Sequence, residues 1–466
     1  VRLQNTWKQY YHPDFPFPEE PDDEHPTAPQ LQRYFEQCAE HFALDIRMNT
    51  QVTQMEEEMG GWKVSYKSNT GSKQERFDFC IIATGQFTRE GEKQSLPWSG
   101  IEDFEKQGGN VLVRRDMTDM GIVKDKKVAV IGFGKTAVDF CEFACSNDAQ
   151  SVTHIFRNPR WMIPSTVGGL DNSWLLFNRV NNETIPAWDY PNSVQQFMHD
   201  KFPFIFNTIW GLIQNVCWFI YSFPSWFQSP EIRDNFVLYK PQYHLLRDHR
   251  TAAAVCPPNF FQNVRSGKLV PIKGSIDKFA PRGILIDDGR MVEADIVFAC
   301  IGNGNDPKSF PFLPQKCRSV LEKDERGFQL YRHLVHPELP NLAFPAHGAL
   351  HTCHAYLASI WISCLLRGEM SLPDADAQLA TIQHIADWKK QHQNYEPNLY
   401  DSVNTRVTHY NDTLMMDLGL NPKRKSNPIA ERFARYGPGD YAGVLQEIQA
   451  KRETGKFRLH PVAVNM

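Results

Sequence analysis

Hydrophobic and polar positions along this chain follow two periods in turn, and the switches between them mark its elements. From Gln30 to about Phe42, the side chains of Leu31, Tyr34, Phe35, Cys38 and Phe42 recur at helical spacing. The runs after it, Arg47 to Met55, Gly61 to Ser68 and Arg76 to Ile82, predict two or three antiparallel strands with Asn69-Thr-Gly-Ser as a hairpin turn. A β-branched run from Val128 to Ile131 then passes without a spacer into Gly132-Phe-Gly134-Lys-Thr-Ala137. Helical spacing resumes at once through Val138, Phe140, Phe143 and Ala144, so this stretch predicts strand, tight turn and helix. A further strand is expected at Ser151 to Phe156.

Beyond Pro164 the pattern loosens into a long insertion rich in Trp, Asn and Pro, reaching about His249. Within it, Phe202 to Pro230 contains no charged residue and is long enough to cross a bilayer, but Asn207, Gln214, Asn215 and two internal prolines interrupt it. Three readings stay open: a membrane span, a cover over a substrate tunnel, or a face lying on a membrane surface. Regularity returns with Lys268 to Ile276, Gly283 to Asp287, a turn at Asp288-Gly289 and a strand from Glu293 to Ile301. Leu342-Ala-Phe-Pro reads as one more strand, and His354 to Arg367 as a helix ending at Gly368. The final segment reads as helical and polar, with Lys423-Arg-Lys425 as a solvated face. The opening stretch, Val1 to about Pro29, is rich in proline and aromatics and reads as irregular surface chain.

The glycine loop carries the clearest chemistry. Gly132 permits the sharp turn, Gly134 lets a pyrophosphate approach the backbone, and Ala137 stands where helix and strand pack closely. Phosphate charge would rest on the first-turn amides, Lys135 and Thr136 among them, where the helix dipole is positive. The following strand ends in Arg157, where an acidic residue would favour an unphosphorylated ribose. Arg157 and Arg160 therefore point to a 2′-phosphate, and so to NADPH over NADH. Cys80-Ile-Ile-Ala83-Thr84-Gly85 is a second apolar strand ending in small residues that leave room for a cofactor, and Cys300-Ile-Gly302-Asn303 ends in the same manner.

Composition narrows the field. A chain of 466 residues suggests two or three domains, and 50 basic against 54 acidic residues leave no electrostatic footprint for nucleic acid. Ten cysteines stand without a C-x-x-C pair, and most read as reduced core thiols in an intracellular protein. The sequons Asn182-Glu-Thr184 and Asn411-Asp-Thr413 carry little weight. His347, His351 and His354 lack carboxylates at ligand spacing, so no metal is expected.

With these residues laid out, the chain resembles the flavin-containing monooxygenases over nearly everything up to about Pro373. Asn5-Thr6 and HPDFPFP beyond it look like the family's segment carrying an asparagine beside the flavin. Asn49-Thr-Gln-Val52 is similar to the strand whose backbone meets the FAD adenine, and Ala83-Thr84-Gly85 to the linker motif. Gly132 to Asp139 resembles the NADPH loop, and Arg157-Asn-Pro-Arg-Trp161 the segment holding the 2′-phosphate. Lys240-Pro241, Gly267-Lys-Leu and Asp288-Gly289 follow in the family's order.

The resemblance implies an α/β fold of two Rossmann-like dinucleotide-binding domains with a helical insertion and a C-terminal helical tail. Residues 1–120 and 291–375 would form the FAD domain, 121–290 the NADPH domain with an aromatic-rich insertion at 165–250, and 376–466 a helical extension. It further implies that NADPH and O2 serve to oxygenate a nitrogen or sulfur centre of a small apolar substrate through a flavin hydroperoxide, with Asn5 as the catalytic polar group. The expected location is the cytoplasm, with peripheral membrane contact through 202–230.

Four departures accompany the resemblance. The family's opening GxGxxG is absent, so the chain is expected to be part of a larger protein. Its linker histidine falls on Val113, its second Ala-Thr-Gly-Tyr on Cys300-Ile-Gly302-Asn303, and its Glu and Gln near the flavin on Tyr356 and Ala358, although Trp361 remains. A Baeyer–Villiger enzyme, a dithiol flavoreductase and a non-catalytic NADP-binding relative are the alternatives.

Overall fold

The computed structural model describes residues 6–85, 93, 96–113, 116, 119, 121–167, 170–190, 193–249, 254–301, 310–322, 328–345, 352–392, 406–454 and 457–459. Its centre is a five-stranded, all-parallel sheet in the order Leu269–Lys273, Ser151–Phe156, Lys127–Ile131, Ile296–Ala299 and Asn110–Leu112. Such a sheet is covered on both faces, which explains why its strands read as unbroken apolar runs. Val128, Val130 and Val152 meet the helix Lys135–Ser146 together with Phe236, Phe260 and Phe261. Ala129, Ile131 and Ile155 point the other way, onto Phe104, Phe279, Ile284 and Val292. The second cover is a small antiparallel meander, Ile276–Ala280, Gly283–Ile286 and Met291–Glu293.

This sheet is wider than the segment 121–290, because it recruits Asn110–Leu112 from before that segment and Ile296–Ala299 from after it. The run expected as one strand from Glu293 to Ile301 is divided. Met291–Glu293 closes the meander, and Ile296–Ala299 enters the parallel sheet after Ala294 and Asp295. The expected strand Arg76 to Ile82 is divided as well. Gly71–Phe77 completes the hairpin after the turn at Asn69-Thr70, whereas Cys80–Ile81 pairs in parallel with Leu342–Ala343. Each division answers to tertiary pairing that a run of apolar residues does not record.

The remaining cores lie on separate elements. Met55, Trp62, Val64 and Ile82 pack with Phe310, Leu342 and Phe344. A third core joins the helix Thr352–Leu366 to Val407–Asp417 and Val444–Glu453. The helix Ala28–His41 lies where its spacing predicts, closed at its start by a capping box from Thr27 and Gln30. The basic triplet near the C-terminus is a correction. Arg424 reaches Glu447, and Lys425 lies 2.6 Å from Asp440 and over the ring of Tyr436, so both are structural ion pairs and not a solvated face. The sequon asparagines Asn182 and Asn411 are both buried.

The insertion folds into helices. Arg179 at its start meets Asp412 and Glu431, and these pairs tie the insertion to the C-terminal layer. The uncharged run forms the helix Pro203–Ser222, extended to Phe227 by a 3₁₀ turn. One stripe of it docks on the protein. Trp210 donates to Thr184 at 3.1 Å, Gln214 accepts from the Leu245 amide at 2.9 Å, and Trp218 and Tyr221 pack on Phe236 and Phe261. These positions lie on one helical face.

Candidate nucleotide-binding site

The chain turns to opposite sides of the strand Lys127–Ile131, toward Ser151–Phe156 on one flank and Ile296–Ala299 on the other. In open α/β sheets the crevice at such a reversal, beyond the carboxyl ends of the strands, is where ligands bind. Gly132 sits at its mouth with φ of +111°, and a Cβ there would lie 2.1 Å from the carbonyl oxygen of Cys300. Only glycine lets these two strand ends approach so closely. The Cys300 amide in turn donates to the Ile131 carbonyl at 2.9 Å, so the ends of the strands Lys127–Ile131 and Ile296–Ala299 are in contact.

Gly134 is glycine for a different reason. Its backbone is ordinary, with φ −75° and ψ 173°. A Cβ there would meet no atom of the chain within 4 Å. The chain's own packing does not require a glycine, and the space it leaves lies over the start of the helix Lys135–Ser146. That start carries no side-chain cap and no acidic residue in its first turn. An uncapped helix start with an open approach suits a pyrophosphate. Ala137 is fully buried against the sheet, as close helix–strand packing demands. Lys135 turns along its own helix to pair with Asp139.

Arg157 follows the strand Ser151–Phe156 directly and is exposed, on the strand adjacent to the glycine loop. Arg160 does not join it. Its guanidinium is buried with Asp248 at 3.4 Å, and Asp248 also accepts from the Trp161 amide at 2.8 Å. Paired structural burial removes Arg160 from the 2′-phosphate reading.

His154 is a residue the sequence reading missed. It is fully buried beneath the loop, where its Nε2 donates to the Gly132 carbonyl at 2.6 Å and its Nδ1 lies 3.2 Å from the Tyr239 hydroxyl. Phe133, Phe156 and Tyr239 surround its ring. A histidine inside a β run carries no periodic signal that separates it from a core residue. Burial pulls its pKa down to about 4, the hydrogen bond to Gly132 opposing this only in part, so the brace is a neutral imidazole.

The second set of candidate residues lies outside the five-stranded sheet. Ala83 and Thr84 are exposed just past Ile82, whose amide donates to the Ala343 carbonyl at 2.8 Å, and Gly85 adopts φ of +78°. Val52 is exposed on the strand Gln51–Glu58, beside a register irregularity between Val52 and Gln54. Thr6 is buried, and its hydroxyl has no hydrogen-bond partner among the described residues. Such an orphaned group fits a polar atom that the chain does not supply. The expected catalytic Asn5 lies outside the described residues, as do Arg114, Gly302, Asn303, His347 and His351. Val113, at the linker histidine's position, is buried in the apolar core. Tyr356 and Trp361 bind Asp14 and Asp417, which fastens their helix to the amino-terminal segment and the C-terminal layer. Cys141 and Cys145, four apart on the glycine-loop helix, are buried thiols whose pKa values burial pushes up, that of Cys145 to about 12.

A family profile described as flavin-binding monooxygenase-like matches residues 3–207. "Probable flavin-containing monooxygenase 1" of Arabidopsis thaliana is 28% identical, across 95% of this chain and 88% of that protein. Over residues 3–207 the chain is similar to the flavin-binding monooxygenase-like family, and over most of its length to a probable member of the flavin-containing monooxygenases. Both likenesses are to flavin-binding monooxygenases, and the mixed α/β architecture is the one expected of paired Rossmann-like units. A 4-hydroxybenzoate brominase (decarboxylating) of Marinomonas mediterranea is 24% identical over 84% of this chain and 70% of its own length. The structure of S-allyl-L-cysteine S-oxygenase from Allium sativum shares the fold, with a TM-score of 0.57 at 17% identity over 97% of this chain and 83% of that one.

His154 gives the glycine loop a measurable pH dependence. Unfolded, it takes a proton near pH 6.5; folded, it refuses one until about pH 4, so stability falls as pH drops through that window. The loss attributable to it is on the order of 2–3 kcal/mol. Urea unfolding at pH 7 and pH 4.5 is expected to show a smaller acid loss in His154→Gln than in the unaltered protein. Equal losses would remove the neutral-brace assignment.

Proposed function

We propose that this chain is the catalytic part of a monooxygenase that uses NADPH, FAD and O2 to place one oxygen atom on a soft nitrogen or sulfur centre of a small apolar substrate. The observation that carries the reading is the glycine loop at the sheet's reversal point, where Gly134 leaves open space that no chain atom claims. The amides around Gly134, Lys135 and Thr136 hold the pyrophosphate, and Arg157 takes the 2′-phosphate as a charge-assisted pair. His154 fixes the Gly132 carbonyl so that these amides keep their direction. Val52, Ala83, Thr84 and Gly85 line the FAD side, and the buried Thr6 hydroxyl presents a hydrogen bond there beside Asn5. FAD supplies the redox chemistry when bound; the protein orients the reactants and keeps water out. The two units are a FAD domain and an NADPH domain, their boundaries as read from the sequence save for the two shared strands.

One observation favours a second reading. Val113 stands buried where the family's linker has a histidine. A chain that binds NADP but does not turn it over accommodates that substitution. The two readings separate in a single assay of the protein reconstituted with FAD. NADPH consumption matched by O2 uptake is expected; bound NADPH with no oxidation sinks the catalytic reading. In the same assay Arg157→Ala is expected to raise the half-saturating NADPH concentration roughly 10- to 100-fold, equivalent to about 1.5–3 kcal/mol, with little change for NADH. Equal loss for both cofactors removes Arg157 from the 2′-phosphate.

The uncharged helix adds a location to this reading. Phe204, Leu212, Val216, Phe219, Ile220, Trp226 and Phe227 are each between 51 and 75% exposed, while the opposite stripe is docked on the protein. A helix fastened along one side suits a bilayer surface better than a crossing, and each large apolar side chain gains about 1.5–3 kcal/mol on full burial. The protein is expected to float with phosphatidylcholine vesicles, and Phe219→Ser combined with Phe227→Ser to reduce that fraction several-fold. Equal flotation, or none for either protein, contradicts the surface contact.

A further inference from the structure

A small cavity of about 20 Å³ lies away from the glycine loop, between the insertion, the segment at Arg332 and the start of the helix Val407–Asp417. Its walls include Trp188, Asp189, Arg332, His333, Arg406 and His409. Arg406 is buried, with 4% of its side chain exposed, yet its Nε and Nη1 make no hydrogen bond among the described residues. The nearest carboxylate, Asp189, lies 3.7 Å from Nη1 and is already taken by His409 at 2.6 Å. Arg332 is matched separately, by two bonds to Asp417 at 2.8 and 3.0 Å. The Nε2 of His333 is likewise unpartnered among the described residues.

Buried guanidinium donors left unmade are costly, so something that accepts hydrogen bonds belongs beside them. Cations gather there around Trp188. The indole of Trp188 has the Arg406 guanidinium 5.1 Å from its centre and the Lys389 ammonium at 5.4 Å. Burial pulls the Arg406 pKa down to about 10, and Asp189 offsets this only in part. Size decides the occupant's class, because a cavity of about 20 Å³ admits one body of roughly water's size. A carboxylate or phosphate is too large. We propose that this cavity is a binding site for a single halide-sized anion, held by Arg406 and stapling the insertion at Trp188-Asp189 to the C-terminal helix. Tyr410, next to the site, donates to the Arg332 carbonyl at 2.7 Å and stacks on His354, so the staple reaches the helix Thr352–Leu366.

The proposal is independent of the redox reading and needs no cofactor to test. The full chain is melted in sodium gluconate, then with chloride or bromide replacing gluconate at constant ionic strength. A saturable rise of several degrees in Tm is expected for both halides, and Arg406→Gln is expected to melt at the same temperature in all three salts. Crystals soaked in bromide are expected to give an anomalous peak in the cavity, which decides the matter should Arg406→Gln fail to fold. A Tm indifferent to halide with no bromide peak means that the cavity holds only water and overturns the proposal. A halide effect that survives in Arg406→Gln puts the anion elsewhere and overturns it too.

Discussion

The contact on which the rest depends is between two backbones. Gly132 comes so near the Cys300 carbonyl that no side chain fits between them, and this closeness lets two strands from distant parts of the chain end side by side at the sheet's reversal. From that contact follow the direction of the helix Lys135–Ser146, the opening over Gly134 and the need for a brace beneath. His154 supplies the brace by holding the Gly132 carbonyl from inside the core. The loop is thus held by the protein at Gly132 and open at Gly134.

The two glycines show why one motif letter can stand for two physical demands. At position 132 the backbone conformation and a carbonyl forbid any side chain. At position 134 neither does, which is what the proposed nucleotide cradle requires. Arg157 and Arg160 make the same distinction among cations: both follow the same strand, but Asp248 draws Arg160 into the core. Charge near a site is therefore not charge at a site.

Much of this was legible in the sequence where the signal is local. The strand Ser151–Phe156, the glycine turn and the capped helix Ala28–His41 follow from apolar period and turn chemistry, and the structure keeps their limits within a residue or two. What was not legible depends on partners far along the chain. The splitting of Arg76 to Ile82 and of Glu293 to Ile301 is set by which strand each half pairs with. The roles of Arg424 and Lys425 are set by Glu447 and Asp440. The stripe on Pro203–Ser222 was hidden because an uncharged sequence gives no polar face to read, and only docking through Trp210 and Gln214 reveals the covered side.

The most direct measurement of the central claim is NADP+ affinity in Gly134→Val against the unaltered protein, with the melting temperature of each as control. A Cβ at this position touches nothing in the chain, so folding is expected to be intact while affinity falls at least tenfold, because the methyl groups occupy the pyrophosphate's approach. Unchanged affinity in a normally folded variant would contradict the assignment of this loop as the nucleotide cradle.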